Sequence, residues 1–261
     1  EAKKQFEISG VITNNTAQKI YLEELAAGRL QGTIVDSSVI SKDGHYKLKA
    51  ETKEAMLYNL RIGQNEFPAA YVINDTSKIT VDIELNKQNN KFADKYEVRG
   101  SPASSEMKNF VNSFEADLKK LYIISKRADS LQKANAGDSL MAPLEEEWRA
   151  TAGNIKSHAI AGINNVANPA LLLFELGYFQ EVNKRYDLES LNLEEVNGIV
   201  NKASMKFPGH KGLAAIKKDL NERIASTQPA ESPIWIGKPA PDFSLPDVNG
   251  KQVSLSSFKG K

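Results

Sequence analysis

The spacing of the apolar residues changes once along the chain, at Gly100, and this change limits the folds that the chain can adopt. Before Gly100, apolar and polar residues alternate in short runs such as QFEISGVIT, which is the pattern of half-buried strands. After Gly100, apolar residues recur every three or four positions, as they do in amphipathic helices. The sequence therefore predicts an α+β protein with a β domain at residues 1–100 and a helical domain at residues 101–227.

Residues 1–100 hold seven or eight short runs rich in Val, Ile, Tyr and Thr, separated by turn-forming residues. The clearest turn is Lys42-Asp43-Gly44, because an Asp-Gly pair tolerates the positive φ angles of tight hairpins. No helical spacing interrupts these runs. We therefore predict an antiparallel β-sandwich or an open barrel for this part of the chain.

The helical domain begins with Ser101 as an expected N-cap. Gly137 marks the break between two long helices, and Asp138 is the expected cap of the second. Two long helices joined by a short turn predict an αα-hairpin. Three more helices are predicted, one from Asn168-Pro169, one at residues 193–207 and one at residues 212–225. An apolar helix face can also bind a partner, but isolated amphipathic helices need mutual packing to be stable. We expect these faces to pack together.

The composition excludes several classes of function. The 34 basic and 33 acidic residues nearly cancel, so no strong field favours nucleic acid. No apolar run approaches the roughly 20 residues that cross a bilayer. The chain has no Cys, which removes disulfides, thiolate nucleophiles and thiolate metal ligands, and which fits an oxidising compartment.

Candidate chemistry is sparse. His45, His158 and His210 lie in different parts of the sequence and in no zinc-binding spacing, so surface or capping roles are expected and no metal site is predicted. The run Glu145–Glu147 is interpreted as a solvated helix face, since adjacent helical residues point in different directions. Asp36-Ser37-Ser38 has hydroxyls but no base nearby, which favours a strand-edge role. With no nucleophile elbow or phosphate loop, the sequence predicts no catalytic residue and no cofactor.

The C-terminal sequence IGKPAPDFSLPDVNGKQVSLSSFKGK contains a predicted hairpin centred on Asn249-Gly250. Residues 228–236 form a predicted linker before it. The segment 237–261 resembles the N-terminal lead-in of thioredoxin-fold proteins of the TlpA/ResA and peroxiredoxin-like group. The matching residues are Gly237, Ala240, Pro241, Phe243, Leu245, Asp247, Gly250, Lys251, Val253, Leu255, Gly260 and Lys261. The resemblance implies a thioredoxin fold cut before its reactive Cys, which is either a C-x-x-C pair or a single peroxiredoxin-type Cys.

The β-rich block is similar to a domain of unknown function that precedes such thioredoxin folds in secreted Gram-negative proteins. Its conspicuous D-S…D-G-x-[FY] pattern is occupied by Asp36, Ser37, Asp43, Gly44 and Tyr46. Members of that family are commonly lipoproteins. The resemblance therefore implies a periplasmic or envelope location, with an acylated Cys shortly before Glu1 in the parent protein.

These observations predict a non-catalytic N-terminal accessory region of an envelope thiol–disulfide oxidoreductase, which positions the redox domain, binds its protein disulfide substrate or forms a homodimer. The fragment itself is then no enzyme. The alternative is a stand-alone, lipoprotein-type binding module for a glycan or a peptide. That alternative needs an aromatic platform or a polar groove, for which the strand tyrosines Tyr21, Tyr46, Tyr58 and Tyr71 are the candidates. A hydrolase with dispersed active-site residues is the third hypothesis.

Overall fold

The computed structural model describes residues 3–26, 32–65, 67–135, 137–227 and 242–260. The chain divides into two compact units, Glu1–Leu220 and Asn221–Lys261. The predicted linker at residues 228–236 and the start of the predicted thioredoxin-like segment, residues 237–241, lie outside the described residues.

Strands come first along the chain and helices follow them, so the α+β fold class is confirmed. The first unit begins with eight strands: β1 (Lys4–Thr13), β2 (Lys19–Leu25), β3 (Thr33–Val39), β4 (His45–Thr52), β5 (Leu57–Ile62), β6 (Ala70–Ile73), β7 (Lys78–Leu85) and β8 (Ala93–Arg99). The five helices are α1 (Pro102–Lys133), α2 (Asp138–Asn165), α3 (Pro169–Arg185), α4 (Leu193–Lys206) and α5 (Lys211–Thr227). Two short strands, β9 (Ser244–Pro246) and β10 (Gln252–Ser254), and one turn of 3₁₀ helix (Leu255–Phe258) lie in the second unit.

The eight strands form two four-stranded sheets, with strand orders β4-β1-β7-β8 (sheet A) and β3-β2-β5-β6 (sheet B). The predicted antiparallel β domain is confirmed, with one exception within sheet A, where β1 and β7 run parallel. Between these two strands the chain forms all four strands of sheet B and also β4 of sheet A. No local turn connects the two strands, and local sequence therefore gives no sign of their pairing.

The two sheets enclose one apolar core. Phe6, Ile8 and Ile12 of β1 are buried, as their alternation predicts. Gly10 belongs to the same strand but fits for another reason, because a Cβ added there would lie 1.8 Å from the carbonyl oxygen of Val81. The core is completed from both sheets by Ile20, Leu22, Tyr46, Leu48, Tyr58, Leu60, Ile62, Val72, Ile79, Val81, Ile83 and Leu85.

The other face of sheet B packs on the helices. Ile73 of β6 belongs to the buried helical core, and the half-buried Leu57 and Tyr71 pack against that core. The start of α1 also bonds to the free edge of β6: the hydroxyl of Ser104 accepts a hydrogen bond from the Ile73 N–H (2.8 Å) and the hydroxyl of Ser101 donates one to the Ile73 carbonyl (3.1 Å). The β-sandwich and the helices therefore share strand β6.

The helix boundaries follow local capping chemistry. Ser101 and Asn168 cap α1 and α3 through their side chains, and Asn192 forms a capping box with Glu195 at the start of α4. The interpretation of Asp138 as a cap was wrong. Gly137 is the N-cap of α2 without a side-chain bond, and Asp138 is the first helical residue, where its charge still favours the helix dipole.

The second unit contains a hairpin in which Leu245 of β9 pairs with Val253 of β10. The hairpin forms where the sequence places it, but its turn is organised by Asp247 rather than by an Asn-Gly pair. The Asp247 carboxylate accepts hydrogen bonds from the N–H groups of Asn249 (2.8 Å) and Lys251 (2.9 Å). Gly250 takes a positive φ of 79°, as the last residue of a three-residue hairpin loop commonly does.

Candidate functional site

The three histidines lie apart from each other, as their sequence positions indicate. His45 is exposed at the start of β4, His158 is exposed on α2, and His210 is buried just before α5. Within the described residues, no three His, Asp or Glu side chains are close enough together to hold a metal ion.

Both ring nitrogens of His210 have structural partners. The Nδ1 atom accepts a hydrogen bond from the N–H of Leu213 (3.1 Å), so the ring caps the first turn of α5. The Nε2 atom therefore carries the proton and donates to the carbonyl of Ala55 (2.9 Å), in the segment between β4 and β5. A metal ion or a substrate proton at this ring would remove the cap or the link to Ala55.

His210 borders a cleft of about 140 Å³ between sheet B and the helices α3 and α5. Its walls are formed mainly by Met56, Leu57, Leu173, Phe174 and Ile216. The volume is well below the roughly 300 Å³ at which small-molecule sites begin. This cleft has room for one apolar side chain, and its one titratable lining residue already has two partners.

The carboxylates of the run Glu145–Glu147 are all exposed, and they point in different directions. Glu145 pairs with Arg149 on the same helix (3.6 Å), whereas Glu147 reaches Arg127 on α1 (3.3 Å). Exposed pairs of this kind contribute little to stability. No catalytic carboxylate pair arises from this run.

Among the described residues, Glu175 on α3 is the carboxyl whose pKa departs most from its ordinary value. Its side chain is only 4% exposed, and its Oε2 atom has no hydrogen-bond partner. Burial, reinforced by the negative charge of Glu106, raises the pKa of this carboxyl to about 7. A Cβ added to Gly162 would lie 3.9 Å from this Oε2 atom and 3.9 Å from the ring of Phe110, so bare backbone and an aromatic ring border the carboxyl on this side.

Asp36 and Ser38 connect the two sheets instead of forming a nucleophile. The Asp36 carboxylate accepts hydrogen bonds from the N–H groups of Ser37 (2.8 Å) and Lys49 (2.7 Å), and the Ser38 hydroxyl accepts one from the N–H of Lys47 (3.4 Å). Lys47 and Lys49 lie on β4 at the edge of sheet A. Side chains of β3 therefore accept hydrogen bonds from the N–H groups of β4 that could otherwise pair with the strand of another molecule.

The remaining residues of the D-S…D-G-x-[FY] pattern also have structural roles. Gly44 has a φ of 82°, and a Cβ there would lie 2.3 Å from the carbonyl oxygen of Ile12. Tyr46 is buried and its phenol donates a hydrogen bond to the carbonyl of Val81 (2.7 Å) in the neighbouring part of sheet A. The pattern thus specifies how the sandwich closes.

Two of the four tyrosines considered as an aromatic platform are core residues. Tyr46 and Tyr58 are 4% and 0% exposed, and burial raises the pKa of both phenols far above the usual range. The hydroxyl of Tyr58 donates to the carboxylate of Glu24 (2.9 Å). Neither ring offers a face to a ligand.

The other two tyrosines are half-buried on the outer face of sheet B. The guanidinium of Arg61 lies over the ring of Tyr21, 4.7 Å from its centre, and also pairs with Glu23. The ring of Tyr71 contacts Phe174 of α3, with centroids 6.4 Å apart. These four tyrosines therefore do not form the aromatic platform that is one requirement considered for the binding-module hypothesis.

The comparisons with known proteins concern the β-sandwich. Among the described helices, none combines the length and the apolar character that a membrane crossing requires. A search of curated proteins finds no match to the chain. Residues 6–107 match a family model described as a domain of unknown function (DUF4369), so this part of the chain, from β1 to the second turn of α1, is a DUF4369 domain.

Proposed function

We propose that this chain is the non-catalytic accessory region of an envelope thiol–disulfide oxidoreductase, and that its C-terminal hairpin is the first element of a thioredoxin-like redox domain. The β-sandwich and the helices then position that domain or bind its protein substrate. The sulfur chemistry belongs to a Cys that follows in the parent protein, since residues 1–261 contain none.

The observation that carries this proposal is the C-terminal hairpin. Leu245 and Val253 pair across β9 and β10. Both belong to the residues by which this segment resembles the lead-in of thioredoxin-fold proteins. Phe243, Leu245 and Phe258 are more than half exposed within the described residues. A two-stranded hairpin with uncovered apolar side chains is marginal in water, and it becomes stable when a larger sheet supplies the missing layer.

The polar residues of the first unit support a non-catalytic role. Asp36, Ser38, Tyr46 and His210 all use their functional groups to hold strands and helices together. These structural contacts account for the four residues, so no catalytic role is needed to explain them. An envelope location agrees with the lack of Cys, because unpaired thiols are a hazard in an oxidising compartment.

The first test is to read the parent gene past Lys261. We expect a C-x-x-C pair or a single peroxiredoxin-type Cys within roughly 30 residues, since the motif precedes the reactive Cys by about one strand. A gene without Cys in that interval would refute the redox assignment.

The second test is biochemical and uses the insulin-reduction assay with dithiothreitol. The full parent protein should accelerate insulin reduction, whereas a variant in which its Cys residues are replaced by Ser and the 261-residue chain alone should not. Turnover by the 261-residue chain alone would contradict its non-catalytic role.

A further inference from the structure

Three loops meet at one end of the β-sandwich, and we call this region the loop end. It comprises residues 14–18 between β1 and β2, residues 63–65 and 67–69 between β5 and β6, and residues 86–92 between β7 and β8. The side-chain amide of Asn90 donates to the hydroxyl of Thr16, and the side-chain amide of Asn65 donates to the carbonyl of Asn90 (3.3 Å). Side chains from all three loops therefore hold the loop end together.

Phe67 and Phe92 form an exposed aromatic pair at the loop end. Their ring centroids lie 5.6 Å apart with the planes inclined by 27°, and the two residues are 55% and 46% exposed. The pair joins loops that are 25 positions apart in the sequence, so it is a product of the fold. Two adjacent phenylalanines in contact with water are unfavourable unless something covers them, which makes them a candidate contact surface.

The backbone beneath Phe92 is fixed. Its carbonyl accepts a hydrogen bond from the N–H of Asn86 (2.9 Å), and its own N–H donates to the carbonyl of Asn89 (3.2 Å). The side-chain oxygen of Asn86 accepts from the N–H groups of Gln88 and Asn89, both at 2.8 Å. The ring is therefore presented from a rigid loop, which reduces the entropy that a ligand has to overcome on binding.

The same loops that carry the aromatic pair also carry exposed amide side chains. Gln64, Gln88 and Asn89 are exposed, and the amides of Gln64 and Gln88 make no hydrogen bond within the part of the chain that the structure describes. A carboxamide both donates and accepts, as a sugar hydroxyl does, and it carries no charge. Aromatic rings next to such groups are a combination that suits a ligand with alternating apolar C–H faces and hydroxyls.

We propose that the loop end binds a neutral glycan, with Phe67 and Phe92 packing against sugar rings and Gln64 and Gln88 hydrogen-bonding to hydroxyl groups. The site lies on the β-sandwich and does not depend on the redox assignment. An anionic membrane is the less suitable partner, because lipid-binding surfaces usually carry four to eight basic residues, whereas the 86–92 loop has Lys87 and Lys91. The aromatic residues of the binding hypothesis are thus loop phenylalanines rather than strand tyrosines.

The test is affinity electrophoresis of the 261-residue chain through gels containing one of four neutral polysaccharides: hydroxyethyl cellulose, soluble starch, a galactomannan or an arabinoxylan. We expect at least one polysaccharide to retard the protein. The double substitution Phe67→Ala and Phe92→Ala should raise the dissociation constant from that polysaccharide about tenfold or more, because both ring contacts are lost. Tyr122→Ala is the matched control, since Tyr122 is 62% exposed on α1, far along the chain from these loops.

A second variant separates sugar binding from general hydrophobic adhesion. Gln64→Ala together with Gln88→Ala leaves both rings in place, so it should weaken glycan binding several-fold while leaving the melting temperature unchanged. No retardation by any of the four polysaccharides, or unchanged retardation of the phenylalanine double variant, would overturn the proposal. Binding to phosphatidylcholine–phosphatidylglycerol vesicles that the phenylalanine substitutions abolish, with no glycan binding, would overturn it in favour of a membrane contact.

Discussion

Gly10 and Gly44 in the β-sandwich and Gly153 and Gly177 in the helices have opposite surroundings. A Cβ on Gly10 or Gly44 would lie 1.8 or 2.3 Å from a backbone oxygen of a neighbouring strand, whereas one on Gly153 or Gly177 would meet no atom within 4 Å. The two sheets are thus built on close backbone approaches that only glycine permits. At Gly153 and Gly177 alanine would fit, so packing does not require glycine at these two helical positions.

Buried polar atoms show the same contrast. Four buried side-chain oxygen or nitrogen atoms of the described residues lack a hydrogen-bond partner, and three of them lie in helices, on Glu175, Asn183 and Asn197. The fourth is on Asn59 of β5. Each unsatisfied buried group destabilises the fold by about 1–3 kcal/mol. Substitutions in the helical region therefore have the larger potential to raise the free energy of unfolding.

The largest effect is expected at Gly10. Gly10→Ala should lower the free energy of unfolding by about 3 kcal/mol, because the added Cβ forces β1 away from Val81 and disturbs two paired strands. Urea unfolding of the 261-residue chain measures this change, with Ser9→Ala on the same strand as the control. A loss below about 1 kcal/mol would mean that the close approach relaxes easily, and the contrast between the two regions would then fail.

The next largest effect concerns Glu175 and depends on pH. The pKa of its carboxyl is raised to about 7 in the folded state, so the neutral form stabilises the fold below the ordinary pKa of 4.5. This contribution is lost as the pH rises from 4.5 towards 7, and above that pH the carboxylate is charged in both states. Glu175→Gln should therefore raise the free energy of unfolding at pH 8 by about 2 kcal/mol and have little effect at pH 4.5.

Urea unfolding between pH 4.5 and 8 checks this prediction. The matched control is Glu181→Gln, which removes an exposed carboxylate from the same helix and should leave the pH profile unchanged. An equal effect of Glu175→Gln at both pH values would show that the carboxyl gains water or a partner in solution.

A smaller effect is expected at Asp36. Asp36→Ala should lower the free energy of unfolding by about 1 kcal/mol, because water replaces the carboxylate at the N–H of Lys49 on an exposed strand edge. Hydrogen exchange measured by NMR should show faster exchange at Lys49 and unchanged exchange at Ile8 in the middle of β1. Faster exchange throughout sheet A would indicate a global role for Asp36 instead of a local one.

The smallest effect has the opposite sign. Gly153→Ala should raise the free energy of unfolding by about 0.5–1 kcal/mol, because alanine favours the helix and the added methyl group meets no atom. A thermal melt monitored at 222 nm measures it. Destabilisation by Gly153→Ala would show that this face of α2 is covered in solution, for example by a second copy of the chain.

Local sequence predicts those features that depend on neighbouring residues. The alternation in β1 and the caps Ser101 and Asn168 are such cases, because strand faces and helix starts are determined within a few positions. The parallel pairing of β1 with β7 depends on about 65 intervening residues and has no local signal. The C-terminal hairpin loop was predicted in part. Asn249-Gly250 indicates its position, but the turn itself is held by the Asp247 carboxylate, which accepts two backbone hydrogen bonds.

The candidate sites were harder to predict than the fold. Tyr46 and Tyr58 are of a residue type that is common on binding surfaces, but both are buried in the core. Phe67 and Phe92 lie far apart in the sequence and contact each other only because two loops converge. Glu175 did leave a signal, because it interrupts the apolar run PALLLFELGYF where a charge is unexpected. No sequence pattern shows that the Oε2 atom of this carboxyl lacks a partner, because its surroundings come from α1 and α2 as well as from α3.

The hydrogen bonds between α1 and β6 determine how this molecule can be divided. Ser101 and Ser104 cover the outer edge of β6, and Met107 is buried beside them, so the matched segment of residues 6–107 ends after these contacts are complete. A fragment that stops at residue 100 would leave an open strand edge ready to polymerise. A β-sandwich transferred to another protein must therefore include the first turns of α1, which cover the edge of β6.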